Sequence, residues 1–162
     1  ITFIENAADA DITGLEADML YYPSDSLTIS AAISLNDTEI VNDVAQTIPI
    51  VDIGNPLPLA PKRQGNVRIR KDLSLNQSYF QAAVKYASST YNSFEAAKVL
   101  DQSAYTIVDF AYGLTINDVD VEFFIRNAND ERANLYYNDQ DDIPRITTNR
   151  PRNMGVRMSY RF

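Results

Sequence analysis

About seven stretches of this chain alternate apolar and polar residues, and the connections between them alternate short and long. In LTISAAISL, Leu27, Ile29, Ala31, Ile33 and Leu35 share one face, while Thr28, Ser30, Ala32 and Ser34 share the other. The same period of two runs through GLEADMLYYP, NVRIRKDL, YFQAAVKYAS, YTIVDFAYGLTI and VDVEFFIRN, and through RNMGVRMSYRF at the end. It predicts strands over 12–22, 27–40, 63–73, 78–91, 103–116, 119–127 and 149–162, with a partial strand at 1–5. PSDS, SLNQ and ND make short turns, and ND suits a tight hairpin. The connections at 41–62, 92–103 and 128–149 are long. In an antiparallel meander, alternate connections lie at the same end. All the short turns therefore share one end of the sheet and all the long loops the other.

That asymmetry, with strands of roughly 9–14 residues where a tilted membrane strand needs roughly 9–11, fits a transmembrane barrel. The apolar face mixes Ala17, Ala31 and Ala82 with bulky residues. Lipid fills such gaps, whereas a sandwich core interdigitates large side chains. A soluble all-β binding module, with a ligand site in its long loops, stays open on pattern alone.

Composition removes other classes. The chain has 162 residues, 45% of them hydrophobic, so it is a folded chain of single-domain size. No apolar run reaches the roughly 18 residues of a membrane helix. A formal charge of -8 argues against a nucleic-acid partner. There is no Cys and no His, which removes thiol chemistry and the commonest general base. DADITG places Leu20 where a calcium loop needs its bidentate Glu. No phosphate loop, nucleophile elbow or metal-ligand spacing is present, so neither an enzyme nor a cofactor is expected.

Several segments resemble the C-terminal part of TonB-dependent outer-membrane receptors. NAADADITGLEADMLYYPSDSLTISAAISLNDTE is similar to their Gly-Leu/Val-Glu strand, Pro-containing periplasmic turn and rising strand. LPLAPKRQGNVRIR is similar to their Pro-Lys lead-in to the next strand. YTIVDFAYGLTINDVDVEFFIRNANDERA resembles the penultimate hairpin, with Ala128 and Asn129 where Leu and a small or aromatic residue are usual. NRPRNMGVRMSYRF resembles the final strand.

The resemblance implies that residues 1–162 are the C-terminal portion of a barrel of about 22 strands, the plug domain lying outside this sequence. It implies energy-coupled uptake of a scarce nutrient: a siderophore-iron complex, haem, cobalamin or an oligosaccharide. It also implies an outer-membrane bilayer, the TonB complex (reached through the plug) and the outer-membrane assembly machinery as partners. Met158, Tyr160 and Phe162 would close the barrel and carry the assembly signal. Arg68, Arg70, Lys85, Arg126 and Arg157 would face the lumen, mostly paired with acids of the wall. Tyr136 and Tyr137 are candidate extracellular ligand contacts, and NDQDD beside them reads as a solvated acidic loop.

Overall fold

The structure, a computed structural model, describes residues 8–43, 53–75, 77–93, 100–138 and 145–160. It is all-β, with no helix among the described residues. The strands are β1 (Ala8–Ser24), β2 (Leu27–Asp43), β3 (Arg63–Asp72), β4 (Tyr79–Ala87), β5 (Thr90–Tyr91), β6 (Asp101–Gln102), β7 (Tyr105–Ile116), β8 (Val119–Arg126), β9 (Asn134–Asn138), β10 (Arg145–Thr148) and β11 (Asn153–Tyr160). One antiparallel sheet of seven strands runs in the order β1-β2-β3-β4-β7-β8-β11. These are the seven strands the alternation predicts. The sheet is a pure meander, so consecutive long strands are hydrogen-bonded neighbours.

The stretch expected as one strand over 78–91 ends at Ala87, and Thr90–Tyr91 pair instead with Asp101–Gln102 in a separate two-stranded sheet. Two further differences from the sequence reading have local causes. β1 and β2 are each 17 residues long, exceeding the expected 12–22 and 27–40. Their upper ends project past the roughly 9–11 residues that cross a bilayer. The returning chain covers that projection: Ile40 N donates to Asn55 O, Gly54 N to Ile40 O, and Leu57 N to the Thr38 hydroxyl. The 128–149 connection also holds a hairpin of its own, β9–β10, where NLYYN pairs with RITT. Its Asn and Asp residues hid this short ribbon from a search for long alternation. The partial strand expected at 1–5, and Phe162, lie outside the described residues.

The turns obey local chemistry. Asn117 opens the β7–β8 turn at φ 53°, a left-handed position that Asn tolerates. In the β3–β4 turn, Ser78 is 2% exposed, and its hydroxyl donates to Leu75 O.

Burial then separates the two fold alternatives. The buried hydrophobic residues are Ile40, Ala87 and Ala133, all at or beside the long-loop end. Within the sheet, Leu15, Met19, Phe123, Met154 and Met158 stay exposed, Met158 at 70%. Register aligns the apolar residues in rows across the strands: Met19, Ala31, Val67, Val84 and Val108 form one, and Phe80, Tyr112, Phe123 and Val156 another. A sandwich would lay a second sheet on this face. None does among the described residues, and the face is the one a barrel turns to lipid. Val84→Arg, in the middle of that face, should destabilise the complete barrel by about 2–4 kcal/mol in lipid-vesicle refolding titrations. Asn66→Arg, on the opposite face, should cost much less.

Candidate functional site on the polar face

The opposite face carries the charges. Strand parity places Arg68, Arg70, Lys85, Arg126 and Arg157 there together, with Asp109, Asp120 and Glu122. Three of the five cations pair with acids of the same wall. Arg70 Nε lies 2.9 Å from Asp72, Arg157 lies 3.0 Å from Glu122, and Lys85 lies 3.9 Å from Asp109. Arg126 sits over the Phe124 ring at 5.1 Å. Arg68, between Ser30 and Ala83, has neither an ion pair nor a side-chain hydrogen bond among the described residues.

Near the short-turn end, one lateral row crosses five strands: Asp72, Tyr79, Gly113, Glu122 and Arg157. Gly113 makes it continuous. A Cβ there would lie 2.2 Å from Tyr79 Cε1. The missing side chain lets the Tyr79 ring lie flat across β7 and reach β8, where its hydroxyl donates to Glu122 Oε2 at 2.6 Å. The other carboxylate oxygen accepts from Arg157. The Arg70 guanidinium stacks on the Tyr79 ring, 3.7 Å from its centre. Phe124 lies over Gly155 in the same manner. Sequence reasoning missed this row, because a mid-strand Gly and a Tyr 34 positions earlier become neighbours only when the register is known.

At the long-loop end the polar face closes on a neck built from asparagines. Asn127, 4% exposed and at φ 52°, donates through Nδ2 to Glu131 O and Arg150 O and accepts from Glu131 N. Asn149 donates to Glu131 O and accepts from Ala133 N. Asn129 binds both Val108 N and Thr106 O on β7. Asp130 accepts from Arg152 N, and this bond, with Arg132 and Arg152 nearby, holds its carboxyl below the ordinary 3.8. Asn129, which stands where the resembling receptors have a small or aromatic residue, therefore ties the loop base to β7.

Beside the neck is a cavity of about 320 Å³, lined by Lys85, Asp109, Arg126, Arg150 and Arg152 among others.

 
Four cations face one carboxylate there, and that carboxylate is already engaged: Asp109 accepts from Asn127 N at 2.8 Å and pairs with Lys85. The mouth of the polar face is thus an electropositive recess held on a hydrogen-bonded frame. Arg150 and Arg152 were not singled out in the sequence, although NRPRN flanks Pro151 with both. Tyr136 and Tyr137 sit apart on β9, Tyr136 at 45% exposure, and neither lines the recess. Met158 and Tyr160 lie on β11, an edge of the sheet, on the apolar face. In NDQDD, residues 139–142 lie outside the described residues.

An open antiparallel sheet with one lipid-facing side, one charged side, short turns at one end and long loops at the other is a segment of an outer-membrane β-barrel wall. Residues 1–128 match the sequence profile of the TonB dependent receptor-like β-barrel family, and the chain belongs to that family. That is a family of receptors rather than enzymes, and its barrels stand in the outer membrane of Gram-negative bacteria. The fold is similar to that of the ferric yersiniabactin uptake receptor FyuA from Yersinia pestis (TM-score 0.80, 18% identity, covering 94% of this chain and 24% of that one). It is also similar to the siderophore receptor PiuA from Acinetobacter baumannii (TM-score 0.77, 20% identity, 93% and 22% covered). A third similar structure is the ferric-catecholate import receptor Fiu from K12 E. coli (TM-score 0.76, 15% identity, 92% and 20% covered). The chain spans about a quarter or less of these solved relatives. No curated protein matches it.

Two outcomes test the site's construction. Gly113→Val should displace Tyr79 and destabilise the barrel more than Tyr79→Phe, which removes one hydrogen bond worth about 1 kcal/mol, in denaturant titrations of the complete receptor. Because the Asp130 carboxyl is held below 3.8, the ionised form stabilises the neck. That contribution is fully present above the ordinary value and is lost as pH falls through the lowered one. Hydrogen exchange of residues 127–133 should therefore accelerate only at strongly acidic pH, and Asp130→Asn should remove this acid step.

Proposed function

We propose that this chain forms the C-terminal wall of an energy-coupled uptake receptor, with the plug and the remaining strands supplied by sequence outside residues 1–162. The observation that carries the reading is the electropositive recess of Lys85, Arg126, Arg150 and Arg152 at the long-loop end of the polar face. In a barrel this recess opens toward the outside, where cargo arrives. Its charge favours an anionic cargo, and the siderophore receptors similar in fold support a ferric siderophore of anionic character. The TonB complex would act through the plug, and the assembly machinery would read the last strand through Met158, Tyr160 and Phe162. Arg68 and Tyr136 and Tyr137 are secondary contacts along the same route.

A soluble binding module is the poorer reading, since nothing among the described residues covers the apolar face. The test is cargo binding and uptake by the complete receptor in cells. Arg126→Glu with Arg150→Glu should weaken binding of an anionic ferric siderophore by about tenfold or more. Uptake of a neutral cargo by the double variant at the wild-type level, with no loss for the anionic one, would overturn the assignment.

A further inference from the structure

The lipid-facing side carries a groove that the transport reading does not use. It has a volume of about 530 Å³ and lies over β1–β4. Its floor follows from register. Ala17, Ile33, Gly65 and Tyr86 form one lateral row, and Met19, Ala31, Val67 and Val84 form the next. Gly65 leaves a gap between Ile33 and Tyr86, and Ala31 leaves one between Met19 and Val67. Directly above Gly65 on the same face stands Arg63, beside Leu35. Its backbone is bonded to Ser88, but its guanidinium has no partner among the described residues. Asp37, two residues beyond Leu35 on the same face of β2, is already paired with Lys62 at 3.3 Å. Asp11 and Glu39 face each other farther toward the loops, outside the groove.

An unpartnered Arg at the top of an apolar trough, at the long-loop end of a membrane strand, is complemented by an anionic headgroup that carries an acyl chain. We propose that this groove is a binding site for a phosphorylated lipid of the outer leaflet, one acyl chain lying over Ala31 and Gly65 and the phosphate bonded to Arg63. Arg is suited to this because its planar fork bonds phosphate oxygens in pairs, and a bilayer-facing apolar trough takes a chain without cost to hydrogen bonding. The assignment rests on the membrane orientation of the sheet, and it holds whatever cargo the receptor carries.

The test is lipid retention by the complete receptor, reconstituted in nanodiscs containing lipopolysaccharide, extracted into detergent and weighed by native mass spectrometry. Arg63→Glu should lower retained lipopolysaccharide by about fivefold or more, and Arg63→Lys by less. Lys71→Glu, a cation on the same face at the short-turn end, should retain the wild-type amount. Ala31→Phe should fill the trough and lower retention with Arg63 intact. Heat-modifiable migration on gels reports whether each variant is folded; if Ala31→Phe is not, the exposed Arg63 variants decide. Dephosphorylated lipopolysaccharide should be retained no better by the wild type than by Arg63→Glu. Equal retention by wild type and Arg63→Glu, or equal losses for Arg63→Glu and Lys71→Glu, would overturn the proposal.

Discussion

Everything in this structure depends on backbone hydrogen bonding across strands. In a bilayer no water satisfies an exposed N–H or C=O, so a membrane-crossing strand needs a partner on each side. The meander supplies this for β2, β3, β4, β7 and β8, each hydrogen-bonded to two neighbours. β1 and β11 are the edges of the sheet, and each is bonded on one side only among the described residues. A barrel removes such edges by closure, which gives Met158 and Tyr160 a reason to keep alternating on the last strand.

Once the sheet is fixed in lipid, the roles of its faces are inverted relative to a soluble domain. The apolar face is not a core but a contact with solvent of another kind, and gaps at Ala17, Ala31 and Gly65 carry no cavity cost when lipid can enter them. The polar face instead holds the specific architecture. There, Tyr79 across Gly113 and Phe124 across Gly155 brace neighbouring strands, and ion pairs such as Arg157–Glu122 link strands that share no turn. The β8–β11 pair shows why this matters, since a long loop rather than a tight hairpin joins it.

The long-loop end follows a different logic. Its segments lack long alternation, so their order comes from side chains that serve as backbone partners. Asn127, Asn129 and Asn149 satisfy loop carbonyls and amides that no ladder reaches. Tyr91 does the same between two loops, donating to Pro56 O while its own carbonyl accepts from Leu59 N. This gives the receptor a rigid frame at the mouth, on which the cations of the recess are held.

The period of two was enough to place all seven long strands, their order and the division into a charged and an apolar face, because side-chain direction in a strand depends only on parity. It also put Arg68, Arg70, Lys85, Arg126 and Arg157 on one side. It did not reveal which residues meet across strands. The Tyr79–Gly113–Glu122 contact, the grouping of Arg150 and Arg152 with Lys85, and the position of Arg63 above Gly65 depend on register, and register is a property of the paired strands. The β9–β10 ribbon and the asparagine neck were hidden for a related reason: their bonds join residues distant in sequence, in segments where composition signals only a loop. Parity is local and can be read along one strand, whereas register and loop closure are decided only when the whole sheet assembles.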